Sequence, residues 1–478
     1  MKVTSVAPFT RWMRTRFPFR YGIASMTDLP HLFLRVTVEI DGRPVAGVCS
    51  EGLPPKWFSK NPNTTFEEDL PEMVKVIRQA AQFSCEVGEA ASVFQFWRRL
   101  YQLQNRWAAA HDIPPLLANL GVSLMERGVI DAFCRSTESS FGRALRTNQF
   151  GIDPGKIHPE LEGRHPAEFL PEAPLATIAA RHTVGLSDPL TPDSIPREDR
   201  AQDGLPQALT DCIDTYKLRF FKIKLCGDLD IDRDRLVDLV DLLERKVPRY
   251  RHTLDGNEQF RDMAAFRSHW DALAAHPELR SFLSREHLIF VEQPIQRDAA
   301  LLPELRDVFR SWNDAPPIII DESDAELHSL RQALELGYAG SSHKNCKGVI
   351  KGIINACYLA YLRKENPETE FILSGEDLAN VGPVALLQDL AVMASLGISD
   401  VERNGHHYFK GLSAFPEKIQ HSVAEKLHPD LYQLHPDGYA AVRISGGDLS
   451  LQSVEDAPFG TGLDPADLRF LGEAKWPE

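Results

Sequence analysis

Chemistry first shows in the stretch Phe220-Phe221-Lys222-Ile223-Lys224-Leu225-Cys226-Gly227, where two lysines sit two residues apart in an apolar run closed by glycine. Such a run reads as a short buried strand. Residues i and i+2 of a strand share a face, so both ammonium groups point the same way, with α-carbons roughly 6.5–7 Å apart. Taking two like charges out of water together is costly, and an edge strand with solvated lysines would avoid that cost. The functional alternative is that one ammonium depresses the pKa of the other. At an effective dielectric of about 20 the repulsion is roughly 2.5 kcal/mol, nearly two pKa units. That shift would bring one lysine toward service as a base near neutral pH.

Downstream lie Leu254-Asp255-Gly256-Asn257-Glu258, Phe290-Val291-Glu292-Gln293-Pro294, Ile318-Ile319-Ile320-Asp321-Glu322-Ser323 and Ser342-His343-Lys344-Asn345-Cys346-Lys347-Gly348. Each run ends in charge, and the intervals of roughly 25–40 residues fit one strand plus one helix of a (β/α) barrel, whose catalytic groups gather at the C-terminal strand ends. Asp255, Glu292 and Asp321 could each be a helix N-cap. Three converging carboxylates make better sense around a divalent cation, and an all-oxygen set favours Mg²⁺ or Mn²⁺ over zinc. Asn257 and Glu322 are placed to orient those ligands or Lys344.

The elements that would position these groups follow from periodicity. Residues 32–50 read as a β-hairpin turning at Asp41-Gly42. Before it, the aromatic and basic segment 16–22 reads as a surface loop packed on the hairpin. Residues 66–145 are helical by spacing, broken at Pro114-Pro115. A Pro-rich linker over about 150–176 then leads into strand 176–186 and helix 205–216. Helices are expected near 230–246, 260–275, 300–311, 324–336, 349–363 and 380–396. The seventh barrel strand falls at Phe371-Ile372-Leu373-Ser374-Gly375-Glu376 and the eighth over 398–402. The expected architecture is a (β/α)7β TIM-type barrel over 173–411 with an α+β capping domain over 1–172. Residues 412–478 are expected to return to the cap.

This constellation resembles the enolase superfamily, in particular its muconate lactonizing enzyme-like subgroup. The resemblance matches Lys222-Ile223-Lys224 to the family's KxK, with Lys224 the base, and Asp255, Glu292 and Asp321 to its metal ligands. It matches Lys344 to the lysine across the substrate and Glu376 to an acid that bonds the substrate carboxylate or its enolate. It implies Mg²⁺, with Mn²⁺ as a substitute, and a small carboxylate substrate that loses its α-proton. Racemisation or epimerisation of an amino-acid derivative or dipeptide is the leading outcome. Cycloisomerisation, acid dehydration and a Schiff-base aldolase are the alternatives. The His-Asp dyad of the mandelate racemase-like subgroup is missing. His343 is expected in packing and Lys347 in solvent. The resemblance also implies a lid over the barrel mouth, placed here in 16–27 with Arg20 and Tyr21 contacting substrate. Asp400 and Glu402 match the place where dipeptide epimerases hold an ammonium group; Arg403 could neutralise one of them.

Bulk properties bound the rest. The 478 residues carry a formal charge of -15, which disfavours nucleic acid and anionic membranes as partners. Hydrophobic residues make up 43%, yet no run is long enough to span a bilayer and no signal peptide is evident. Seven scattered cysteines without a CxxC point to reduced thiols and a cytoplasmic setting. A homo-oligomer is compatible with this composition.

Overall fold

A computed structural model describes residues 1–21, 24–472 and 474–477, without the side chains of Tyr21 and Ala24. The chain opens with an antiparallel sheet of β1 (Lys2–Tyr21), β2 (Ala24–Ile40) and β3 (Arg43–Gly52), in that order. Asp41 and Gly42 turn the expected hairpin with φ of 50° and 74°, the left-handed pair that a two-residue hairpin requires. The segment expected as a loop is strand instead through Tyr21, paired with β2 from Lys2 onward. Pro8 and Pro18 hide it from pattern reading, but β1 is an edge strand, where a missing N–H costs no ladder bond. Gly22, the last residue of that expected loop, lies outside the described residues.

Helices Phe66–Glu86 and Pro115–Ser136 pack on the sheet, and Val93–Ala109 packs on those two helices. The first begins with a capping box between Thr65 and Glu68. The third lies nearly wholly buried against β3, and glycine permits that approach. A Cβ on Gly47 would sit 2.2 Å from the Gly128 carbonyl oxygen and 2.4 Å from the Ala132 nitrogen.

The second unit is a closed barrel of eight parallel strands: β4 (Thr177–Val184), β5 (Phe220–Lys224), β6 (Arg251–Asp255), β7 (Leu288–Glu292), β8 (Ile318–Ile320), β9 (Gly340–His343), β10 (Ile372–Gly375) and β11 (Asp400–Arg403). Pairing of β11 with β4 closes it. β12 (Tyr432–Leu434) and β13 (Ala440–Val442) form their own ribbon. β14 (Asp448–Ser450) pairs antiparallel with 177–179 of β4, which overhang the pairing with β5. The later segment Pro465–Leu471 packs against the capping sheet. Among the described residues, no helix is long and apolar enough to cross a membrane.

Buried polar contacts fasten cap to barrel. The Gln388 amide donates to the Val48 carbonyl at 2.8 Å. The Glu126 carboxylate, on the long capping helix, accepts from the Val349 and Ile350 N–H groups that open helix Val349–Glu365 behind Lys344. Burial pushes the Glu126 carboxyl from 4.5 to about 8, against the pull of those N–H groups.

Two outcomes follow for stability. Gly47→Ala, forced against backbone atoms that cannot yield cheaply, is expected to cost roughly 1–3 kcal/mol in urea unfolding. For Glu126 the folded chain binds a proton more tightly than the unfolded one. Its contribution is therefore complete below pH 4.5 and is lost as pH rises toward 8. Glu126→Gln keeps an oxygen for Val349 and is expected to flatten that fall. Urea midpoints at the two pH values compare the chains, and an unchanged slope refutes the assignment.

Candidate active site

Lys222 and Lys224 point from β5 into the barrel, both buried. The Lys222 ammonium meets four carboxylates: Asp255 at 3.0 Å, Glu292 at 2.6 Å, Glu376 at 2.8 Å and Glu402 at 3.0 Å. Burial opposes its charge, but these acids push Lys222 well above the ordinary lysine range. The neighbouring ammonium of Lys224 therefore does not set the charge state of Lys222. Opposite charges at contact distance outweigh a like charge one strand pleat away.

Lys224 pairs with Asp255 at 2.6 Å. Lys344, just past β9, pairs with Asp321, lies 3.8 Å from Glu292, and sits 4.7 Å above the Trp57 ring. β5 and β9 are four strands apart in a closed barrel of eight, so the two lysines face each other across its mouth. Asp255, Glu292 and Asp321 end β6, β7 and β8, on the wall between them. Both Glu292 oxygens are buried without a donor in hydrogen-bond geometry among the described residues; Lys222 approaches as an ion pair. Burial and the adjacent Asp255 and Glu376 carboxylates push Glu292 well above the usual carboxylate range. A divalent cation among these three oxygen donors would relieve that repulsion, so the residues fit Mg²⁺.

The groups line one pocket at the barrel mouth, whose floor and walls include Lys222, Lys224, Asp255, Asp321, Lys344 and Glu402. Phe19 and Met26 roof it from β1 and β2, joined by Pro54 and Trp57 from the segment after β3. That segment is held by Arg297, which donates to the Trp57 and Phe58 carbonyls at 3.0 and 2.9 Å and pairs with Glu258 at 2.7 Å. Lys60 joins Glu258 at 3.1 Å.

Several expected residues sit elsewhere. Arg20 is exposed and donates to Ser187 at 2.9 Å, because it alternates with Phe19 on the strand and so faces the other way. The Tyr21 side chain lies outside the described residues. Asp400, at the start of β11, is below the pocket and bound to Arg181 at 2.8 Å. Glu402 does line the pocket, but Lys222 and the Thr183 hydroxyl, at 2.7 Å, already hold it. Arg403 neutralises neither acid, since it turns outward to Asp377 at 3.3 Å. Glu376 lies beneath the pocket, tied to Arg181 and Lys222.

Asn257 lines the pocket, and its backbone N–H donates to Asp255 at 2.8 Å. Glu322 is buried; burial, Glu258 and Asp321 push it to about 7. His343 is packed as expected, bonded to Asn345 at 3.0 Å. Lys347 is not solvated. The turn after β9 folds it inward, where it reaches Asp321 at 3.1 Å and the Ser342 carbonyl at 2.6 Å. Sequence reading missed Arg181 and Arg297, whose partners are remote in the chain. An arginine inside the buried strand β4 was the available signal for the first.

Neither a protein-family model nor a curated protein sequence matches the chain. Solved structures share its fold. Muconate lactonizing enzyme from Pseudomonas fluorescens, complexed with muconolactone, is 15% identical over 98% of this chain and 99% of that one, with TM-score 0.60. 2-Chloromuconate cycloisomerase from Rhodococcus opacus 1CP is 14% identical over 98% and 99%, with TM-score 0.61. Dipeptide epimerase from Enterococcus faecalis V583, complexed with Mg and L-Leu-L-Tyr, is 14% identical over 96% and 99%, with TM-score 0.59. The chain therefore shares the capped-barrel fold of these solved structures along nearly its whole length.

Lys347→Met tests the buried charge behind Asp321. Asp321 keeps Lys344 and Asp324 keeps Lys351, so losing the Lys347 ammonium and its hydrogen bonds is expected to cost about 1–3 kcal/mol of stability in denaturant unfolding. A loss no larger than that of an exposed lysine, such as Lys75→Met, contradicts this.

Proposed function

We propose that this chain is a Mg²⁺-dependent enzyme of the enolase superfamily that removes the proton α to a carboxylate. The observation that carries the reading is the placement of Lys224 and Lys344 on opposite walls of one pocket, with Asp255, Glu292 and Asp321 between them. Bound Mg²⁺, or Mn²⁺ in its place, would supply the positive charge against which the second negative charge of an enolate forms. Asp255, Glu292 and Asp321 would hold it.

Lys224 takes the proton from one face of the substrate carbon, and Lys344 stands ready to return one to the other. Lys222, pinned by four carboxylates, stays a cation and orients the substrate carboxylate. Phe19, Met26, Pro54 and Trp57 exclude water from the reacting carbon. Two bases on opposite faces suit a racemase or epimerase, and we place the substrate among amino-acid derivatives, with dipeptides included. The Asp400–Glu402 pair gives no support to an ammonium site, because Arg181 already binds Asp400.

Cycloisomerisation or elimination after the same first step is the alternative; it would use one lysine as base and leave the other electrostatic. A Schiff-base aldolase is the further alternative; it would use a lysine as covalent nucleophile, and borohydride with a carbonyl substrate would trap it. We infer cytoplasmic residence from the seven free cysteines, with no nucleic-acid or membrane partner.

Two measurements test this. Glu292→Gln is expected to abolish Mg²⁺ binding in titration calorimetry, and undiminished affinity would refute the ligand set. In D₂O, on N-acylamino acids, dipeptides and sugar acids, Lys224→Ala should lose α-proton exchange from one enantiomer and Lys344→Ala from the other, each by about 10²–10⁴-fold. Equal loss of both hands in each variant means the two-base arrangement is wrong.

A further inference from the structure

A second cluster of ligating side chains lies outside the barrel, away from the carboxylate pocket. His182 projects from the outer face of β4. Cys212 lies on helix Leu209–Tyr216, and His407 lies in the turn just after β11. All three are buried, and one ligand atom from each falls within 4.8 Å of the other two. We propose that His182, Cys212 and His407 form a metal site for one zinc-class divalent cation, bound through two imidazoles and a thiolate at the seam where the barrel closes.

The geometry is close to what such an ion needs. Tetrahedral Zn–S and Zn–N bonds of about 2.3 and 2.0–2.1 Å put sulfur and nitrogen about 3.6 Å apart. The Cys212 sulfur lies 3.6 Å from His407 Nδ1. The His182 imidazole is also oriented through its other nitrogen, as metal-bound histidines are. His182 Nδ1 is 3.2 Å from His406 Nε2, leaving Nε2 for the ion. His407 Nε2 is 3.8 Å from the Asp188 carboxylate, which the Tyr408 hydroxyl holds at 2.6 Å. His406 Nδ1 is buried without a hydrogen-bond partner among the described residues.

Nitrogen and sulfur donors select zinc over Mg²⁺, the reverse of the oxygen set in the barrel mouth. On binding, the Cys212 thiol releases its proton to solvent and the sulfur lone pair forms the metal bond. The histidines donate lone pairs, and nothing is oxidised or reduced. The ion would tie the first barrel strand and its helix to the residue that follows the last strand. It would also anchor the cap, since Phe17 packs edge-on to His407 at 4.9 Å and Arg16 donates to the His407 carbonyl at 2.6 Å.

The test uses the full chain, expressed with added zinc, purified without chelator and dialysed into Mg²⁺ buffer. Elemental mass spectrometry should find one zinc per chain, and Co²⁺ in its place should give a thiolate-to-cobalt charge-transfer band. Cys212→Ser should lose both, while Glu292→Gln should keep both, which separates this site from the barrel mouth. Asp188→Asn should weaken zinc binding by about 10–100-fold. Zinc at background in the unaltered chain, or a charge-transfer band that survives Cys212→Ser, overturns the proposal. The measurement on the unaltered chain decides it even if the variants fail to fold.

Discussion

One ammonium group organises the interior of this barrel. Lys222 lies at contact distance from Asp255, Glu292, Glu376 and Glu402, contributed by four different strands or the turns just after them. Barrels of this kind are usually filled by layers of branched apolar side chains. Here the upper layers are ionic, and buried charges persist only where each finds an opposite partner. The surrounding residues complete that balance: Arg181 beneath Glu376, Thr183 on Glu402, and Lys347 behind Asp321. Such a network tolerates few rearrangements, because moving any one charge exposes another.

That rigidity is what a two-sided reaction needs. Barrel closure places β5 and β9 four strands apart, so Lys224 and Lys344 are held apart by the backbone and not by flexible loops. The three acids proposed as ligands occupy the intervening strand ends. A substrate carboxylate directed at that wall would present its α-carbon between the two amines.

The cap supplies what the barrel lacks, an apolar roof. The Pro54–Trp57 region is fixed through Arg297 and Glu258, and Phe19 and Met26 arrive on the long first hairpin. Helix Pro115–Ser136 adds a carboxylate at the start of the helix behind Lys344. Cap and catalytic wall are thus joined by buried hydrogen bonds. A lid residue such as Phe19 is placed by strand alternation, which turns its neighbour Arg20 to solvent.

Much of this was legible along the chain because the information is periodic. A charged residue closing each apolar run marks the strand ends, so Lys222, Lys224, Asp255, Glu292, Asp321 and Lys344 could be named from spacing. Asp41-Gly42 specified its hairpin through the backbone angles that the turn demands. What spacing cannot carry is the identity of partners brought together by closure. Lys347 looked solvated because its partners, Asp321 and the Ser342 carbonyl, reach it only once β8 and β9 are paired. Asp400 and Glu402 share a strand face, yet tertiary packing separates them, giving one to Arg181 and the other to Lys222. His182, Cys212 and His407 are far apart in sequence and carry no common period. They meet because the first and last strands of the barrel must pair, and that constraint exists only in three dimensions.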